Sequence, residues 1–200
     1  MAKEKKVKKM KRIICLVIIA LEGSALLSFE IIASRLYTPH LGSSIYVWTS
    51  ILSMTLIALA LGYYYGAKII REKIPSFLRI SLIAGSILIF ISPYTAKFIL
   101  PATDQLSIEM ASLISGAVII IPPIFLLGLV SPMISHFMSS DYGKNSGLVY
   151  GTGTLFGVIS TIGFIHFVLP SFGVHNSVLI VAALVCAAFL LTFLIPQSES

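Results

Sequence analysis

After residue 12 the chain is almost free of charge, and this depletion restricts its possible folds more than any other feature. Only 14 of the 188 residues that follow Arg12 are Lys, Arg, Asp or Glu. Over the whole chain 57% of residues are apolar and 11% are charged, whereas about 25% are charged in a soluble domain. So few charges cannot form a hydrated outer surface. The composition therefore excludes a soluble enzyme, a disordered chain and a disulfide scaffold, and it predicts a polytopic membrane protein.

Six apolar stretches are long enough to cross a bilayer, since about 20 helical residues span a hydrocarbon core of about 30 Å. The predicted fold is all-α, a bundle of six transmembrane helices in a domain of residues 13–195. The predicted spans run from about 13 to 36, 44 to 67, 77 to 96, 108 to 133, 147 to 169 and 177 to 195. Residues 1–12 form a basic tail and residues 196–200 a second, short tail.

Lys and Arg residues are distributed unevenly between the two sides of these spans. An N-terminus in the cytoplasm places 12 of them inside and two, Arg35 and Lys97, outside. Positive loops are retained on the cytoplasmic side, so the pattern predicts a multi-pass plasma-membrane protein with both termini in the cytoplasm. The net charge of +6 indicates contact with the lipid bilayer and no nucleic-acid partner, because half of the cations lie in the N-terminal tail.

Glycines at four-residue spacing indicate close helix contacts, because two backbones can approach where no side chain intervenes. Gly62 and Gly66 have this spacing in the second span, and Gly147 and Gly151 have it in the fifth, where Gly153 and Gly157 form a further pair on another face. Packing within the bundle and formation of a homodimer are both compatible with this pattern.

The fourth span is interrupted by residues that disturb helices, namely Pro122, Pro123, Gly128 and Pro132. Each proline removes a backbone donor and disturbs the preceding turn. Transporters place such broken helices at their binding sites. The segment is either a packing kink or a hinge with a role in binding.

Glu22 is the most informative single residue. It lies about 14 Å along the helix from Ile13, at 1.5 Å per residue, and therefore near the midplane of the bilayer. A carboxylate at this depth must be protonated, paired or hydrated, and no Lys or Arg lies at a matching depth in another span. We expect Glu22 to be protonated or in contact with water. It has either a functional role or a structural one, as a polar contact that holds the helices of the bundle together.

Glu30 follows Glu22 on nearly the same helix face, because eight residues rotate the helix by only 80° beyond two full turns. Arg35 and His166 are predicted at a similar depth near the outer boundary. The three residues form either a structural network or a cation or proton site that faces outward. The His residues lack the i, i+3 or i+4 spacing of a metal site, and neither a cofactor motif nor a catalytic set is found.

Four further segments occur in a familiar order. The first contains Gly23, then Phe29-Glu30, Arg35 and Gly42-Ser43. It is followed by L-A-L-G-Y-Y-Y-G (59–66), P-P-I-F-L-L-G-L-V-S-P (122–132) and G-L-V-Y-G-T-G-T-L-F-G (147–157). This ordered set resembles the membrane region of spermidine synthase-like integral membrane proteins, although Phe29 stands where that family usually has Tyr.

The resemblance implies a role in polyamine metabolism. The family often joins such a region to a cytoplasmic aminopropyltransferase domain, and no segment of this sequence resembles that domain. The resemblance therefore predicts an anchor or partner of a separate aminopropyltransferase-like subunit, and catalysis by this chain alone is not expected. Lys68, Arg71 and Lys73 form a basic loop that could dock such a subunit.

Two other functions remain open. Glu22 and Glu30, together with the broken fourth span, favour a small transporter or half-transporter for polyamines or other cations. A structural membrane scaffold without a ligand is the third possibility.

Overall fold

The computed structural model describes residues 2–138 and 142–195, and all regular structure in this part of the chain is helical. The all-α prediction is confirmed, whereas the predicted tail at 196–200 lies outside the described residues. The helices are α1 (Ala2–Leu41), α2 (Ile45–Ala67), α3 (Ile74–Ala102), α4 (Ile108–Ile119), α5 (Ile121–Gly128), α6 (Val130–Phe137), α7 (Tyr142–Gly163) and α8 (Leu169–Leu191). Short 3-10 turns occupy Arg71–Lys73 and Thr192–Leu194, and a π-helical turn occupies Phe164–Val168.

Several of these helices are long and apolar enough to cross a membrane. In the described part of the chain there are four such stretches, or five if the bent segment from α4 to α6 is counted as one span. They indicate a membrane-embedded protein. The predicted fifth and sixth spans lie within one apolar stretch of 51 residues, Lys144–Leu194. Within it Gly173 departs from helical geometry (φ 72°, ψ 175°), and the helix kinks there.

The first helix forms the centre of the bundle. It packs against α7 and α8, while α2 packs against α4 and α5, and α3 packs against α8. Ile18, Phe29 and Tyr37 of α1 are fully buried in the core. Buried positions recur every three or four residues along α1, which is the spacing of one helix face.

The segment that begins at Ile108 is interrupted at two points, and only the first changes its direction. The first break lies at Ile120, where the axis bends by 47°, and Pro122 and Pro123 form the first turn of α5 just after it. Prolines are tolerated there because the first turn of a helix has no intrahelical acceptor for its N–H groups. The second point is Leu129, between Gly128 and α6, where the backbone keeps helical angles (φ −66°, ψ −26°), so α6 continues the direction of α5.

Two glycine contacts hold the bundle together. Gly62 and Gly66 bring α2 against the backbone of α5 and α6, and a Cβ on Gly62 would lie 2.7 Å from the carbonyl oxygen of Phe125. Gly23 of α1 lies directly against the backbone of Gly153 of α7, and Gly157 packs against Leu27 and Gly23.

Gly147 and Gly151 are placed differently from the other predicted packing glycines. A Cβ on either would meet no atom within 4 Å in the described structure. The helical rotation of α7 turns these two residues away from α1, while Gly157 faces it. Contact with a second copy of the chain therefore remains a prediction for this face.

The ends of the described chain lie at the same end of the bundle. Lys11 near the start of α1 and Ile195 after α8 line one cleft, together with residues of the turn between α2 and α3. Phe137 at the end of α6 also lines it.

Candidate functional site

Glu22 lies inside the bundle among four helices. Its side chain is only 2% exposed, and the Ser131 side chain lies close enough to interact with its carboxyl group. The carboxyl also interacts electrostatically with the phenol groups of Tyr63 and Tyr150. We call these four residues the Glu22 cluster. They come from α1, α2, α6 and α7, so the cluster exists only when the bundle is assembled.

The two tyrosines of the cluster contact each other. The ring centroids of Tyr63 and Tyr150 are 5.3 Å apart, and the ring planes meet at 81°. Such an edge-to-face pair is a favourable aromatic arrangement and holds both rings in place. The carboxyl group thus lies within electrostatic range of this aromatic pair, and within the described residues it forms no ion pair with Lys, Arg or His.

Close backbone contacts position the members of the Glu22 cluster. Glu22 precedes Gly23, which touches Gly153 of α7. Tyr63 follows Gly62, which lies against Gly128. Ser131 lies in the first turn of α6, two residues after Leu129. Because a residue beside such a contact is held close to the neighbouring helix, these polar side chains are brought together inside the bundle.

A cavity of about 290 Å³ lies beside the cluster, between the ends of α2 and α6 and the beginning of α7. It is lined by Ala67, Pro132, Ser135, His136, Ser146 and Tyr150. The hydroxyl oxygens of Ser135 and Ser146 are 2.7 Å apart across it. We call it the α6–α7 cavity. Tyr150 lines this cavity and also interacts electrostatically with Glu22, so one side chain relates the cavity to the buried carboxyl.

The predicted outer cluster of Glu30, Arg35 and His166 is not joined by bonds. Glu30 is 9% exposed, whereas Arg35 and His166 are exposed. His166 Nδ1 lies 3.0 Å from the carbonyl oxygen of Ile162 in its own helical stretch. Among the described residues no ion pair links Glu30 to either cation.

The predicted docking residues lie on the surface. Lys68, Arg71 and Lys73 are exposed on the turn between α2 and α3. The Lys68 ammonium lies 3.7 Å from the ring centroid of Tyr64, which is exposed as well.

Sequence reasoning missed three members of the Glu22 cluster, Tyr63, Ser131 and Tyr150. A signal for two of them was present, because each tyrosine is adjacent to a glycine of the quoted motifs, Gly62 and Gly151. In the described part of the chain no group of three or more His, Cys, Asp or Glu is arranged to hold a metal ion. No family model, curated protein or solved structure matches this chain.

Proposed function

We propose that this protein binds a protonated amine of the polyamine class, or another small cation, at Glu22 and carries it across the plasma membrane. One observation carries the proposal. A carboxylic acid that is 98% buried at the predicted midplane of a membrane protein interacts electrostatically with two tyrosine phenols, and within the described residues it forms no ion pair with a cationic side chain. Ionisable residues at this depth are costly and mark substrate or ion pathways.

The chemistry of the Glu22 cluster suits an ammonium group. The carboxylate supplies the opposite charge, and the faces of Tyr63 and Tyr150 attract a desolvated cation. The hydroxyls of the cluster supply further acceptors for the N–H groups of an amine. A bare metal cation would need several oxygen ligands at short distance, and one carboxyl group beside two rings does not supply them.

The α6–α7 cavity supports access from one side. It opens at the end of the bundle where Lys68, Lys144 and the N-terminal basic residues lie, which is the predicted cytoplasmic side. A movement of Tyr150 would connect it to Glu22. The bend at Ile120 would supply the point at which the helix rearranges, as discontinuous helices do in transporters.

Six spans with both termini in the cytoplasm are part of this proposal. The stretch Lys144–Leu194 has 51 residues and would measure about 76 Å as one straight helix at 1.5 Å per residue, far more than a core of about 30 Å. Two spans that meet near Gly173 account for this length. The position of Lys11 and Ile195 at one end of the bundle supports an even number of crossings.

The test is uptake of radiolabelled spermidine into liposomes that contain the purified protein. We expect Glu22→Gln to lower uptake at least about tenfold, because a charge-assisted hydrogen bond contributes about 1.5–3 kcal/mol. Glu109→Gln is the matched control, since Glu109 is an exposed carboxylate on α4, and it should leave uptake unchanged. Undiminished uptake by a folded Glu22→Gln protein would refute the proposal.

A second candidate function is to anchor an aminopropyltransferase-like subunit, as the resemblance implies. The exposed Lys68, Arg71 and Lys73 favour it, because a basic turn can attract an acidic protein surface. Purification from the native membrane in mild detergent, followed by mass spectrometry, would identify a soluble partner of this class. We expect the triple Gln variant of these residues to lose the partner, and a chain that purifies alone at moderate salt would contradict this function.

A further inference from the structure

A second cavity, of about 480 Å³, lies at the end of the bundle where the basic residues are concentrated. Three cations from separate elements line it, namely Lys11 of α1, Arg71 of the turn before α3, and Arg79 of α3. Glu72 is the one carboxylate on its wall. We call this cavity the basic cleft. The cations outnumber the carboxylate three to one, so the cleft attracts anions.

Aromatic rings hold two of these cations in place. The Lys11 ammonium lies 3.5 Å from the ring centroid of Phe137, and the Arg79 guanidinium lies 4.5 Å from that of Phe193. An aromatic ring attracts a cation through its face and leaves the N–H groups in the plane of a guanidinium unbonded. A carboxylate would instead accept hydrogen bonds from these N–H groups. The donors of both side chains are therefore kept available.

The donor groups of the cleft lack acceptors. Arg79 Nε is buried and has no hydrogen-bond partner, although buried polar groups are almost always paired. Within the described residues Lys11, Arg71 and Arg79 form no ion pair. A buried guanidinium nitrogen without an acceptor indicates a missing oxygen-rich ligand at this position.

We propose that the basic cleft binds a phosphate group, with Arg79 and Arg71 as its principal donors and Lys11 as a further charge. Arg is suited to this ligand because its planar N–H groups match two phosphate oxygens at once. The remaining wall contains apolar side chains, including Ile74, Leu78 and Ile195. Basic pockets between helices on the cytoplasmic side of membrane proteins accept lipid head groups, and a soluble phosphate compound offers the same chemistry.

The test compares the two sources of phosphate on the full chain. Native mass spectrometry of the protein from mixed micelles counts retained phosphatidylglycerol against phosphatidylcholine, and thermal unfolding is followed with either lipid or with inorganic phosphate. We expect an increase in Tm of about 5 °C when the phosphate ligand is about a hundredfold above its Kd. Retention of phosphatidylglycerol assigns the site to a lipid, whereas an increase in Tm with inorganic phosphate alone assigns it to a soluble compound.

Variants of the lining residues test whether the basic cleft is the site at which the phosphate ligand binds. Arg79→Gln should abolish the retention or the increase in Tm. Lys11→Gln should weaken phosphate-ligand binding several-fold. This variant can be measured in place of Arg79→Gln if the latter does not fold. Lys144→Gln is the matched control, since Lys144 is exposed and does not line the cleft. The proposal is overturned if neither ligand is preferred over phosphatidylcholine, or if Lys144→Gln and Arg79→Gln reduce binding equally.

Discussion

Replacement of Gly62 by alanine should separate α2 from the broken helix and destabilise the bundle. The new Cβ would lie 2.7 Å from the carbonyl oxygen of Phe125 and 2.9 Å from the Cα of Gly128. Both are backbone atoms, which cannot rotate away as a side chain does. Ordinary contact begins near 3.4 Å, so the helices must move apart by about 0.7 Å, a gap that removes a quarter to a half of the dispersion attraction of each affected atom pair.

The magnitude follows from two opposing effects of Gly62→Ala. Overpacking costs about 1–3 kcal/mol, and alanine recovers up to about 1 kcal/mol through its higher helix propensity. We expect a net loss of about 1–2 kcal/mol in the free energy of unfolding, or a decrease in Tm of about 2–8 °C for a chain of this size. Thermal unfolding in detergent, followed by circular dichroism, measures the change.

Gly151→Ala is the matched control for this prediction. Gly151 also lies in a helix interior, but its Cβ would meet nothing within 4 Å. This variant should therefore gain up to about 1 kcal/mol from helix propensity alone. The reasoning fails if the two variants shift Tm in the same direction by the same amount.

Three further predictions concern other parts of the bundle. Gly173→Ala should lower the free energy of unfolding by about 1–3 kcal/mol, because φ 72° with ψ 175° is a conformation essentially restricted to glycine; thermal unfolding measures it. Glu30→Gln should retain most spermidine uptake in the liposome assay, and a loss equal to that of Glu22→Gln would place the binding site elsewhere. Ser146→Ala should cost about 0.5–1.5 kcal/mol in unfolding experiments, because Ser135 loses its 2.7 Å hydrogen-bond partner.

The apolar stretches located the helices well, because membrane insertion depends on composition over about 20 residues. The predicted span 44–67 corresponds to Ile45–Ala67, while the prediction 77–96 falls inside the longer Ile74–Ala102. Helices extend beyond the predicted apolar stretches because backbone hydrogen bonds form equally well in the polar residues that flank them. The break between the predicted fifth and sixth spans falls in the interval 170–176, where two helices meet at Gly173. Hydropathy does not reveal that a single residue makes this break.

The candidate site was predictable in part. Glu22 stood out because a charge in a membrane is costly, and that cost is a property of one residue. Its partners depend on how each helix is rotated about its axis, and depth along the chain carries no such information. The predicted cluster of Glu30, Arg35 and His166 was inferred from depth alone, which explains why the structure does not join these residues by bonds.

The contact between Gly23 and Gly153 also sets the register of the first helix. Glu22 is held at a defined rotation because the residue next to it touches the opposite backbone. One alanine inserted between Glu22 and Gly23 would leave the composition of α1 nearly unchanged, yet it would rotate the carboxyl group by about 100°. The chain should consequently tolerate many substitutions along the surface of α1 but no insertion or deletion of a single residue next to this contact.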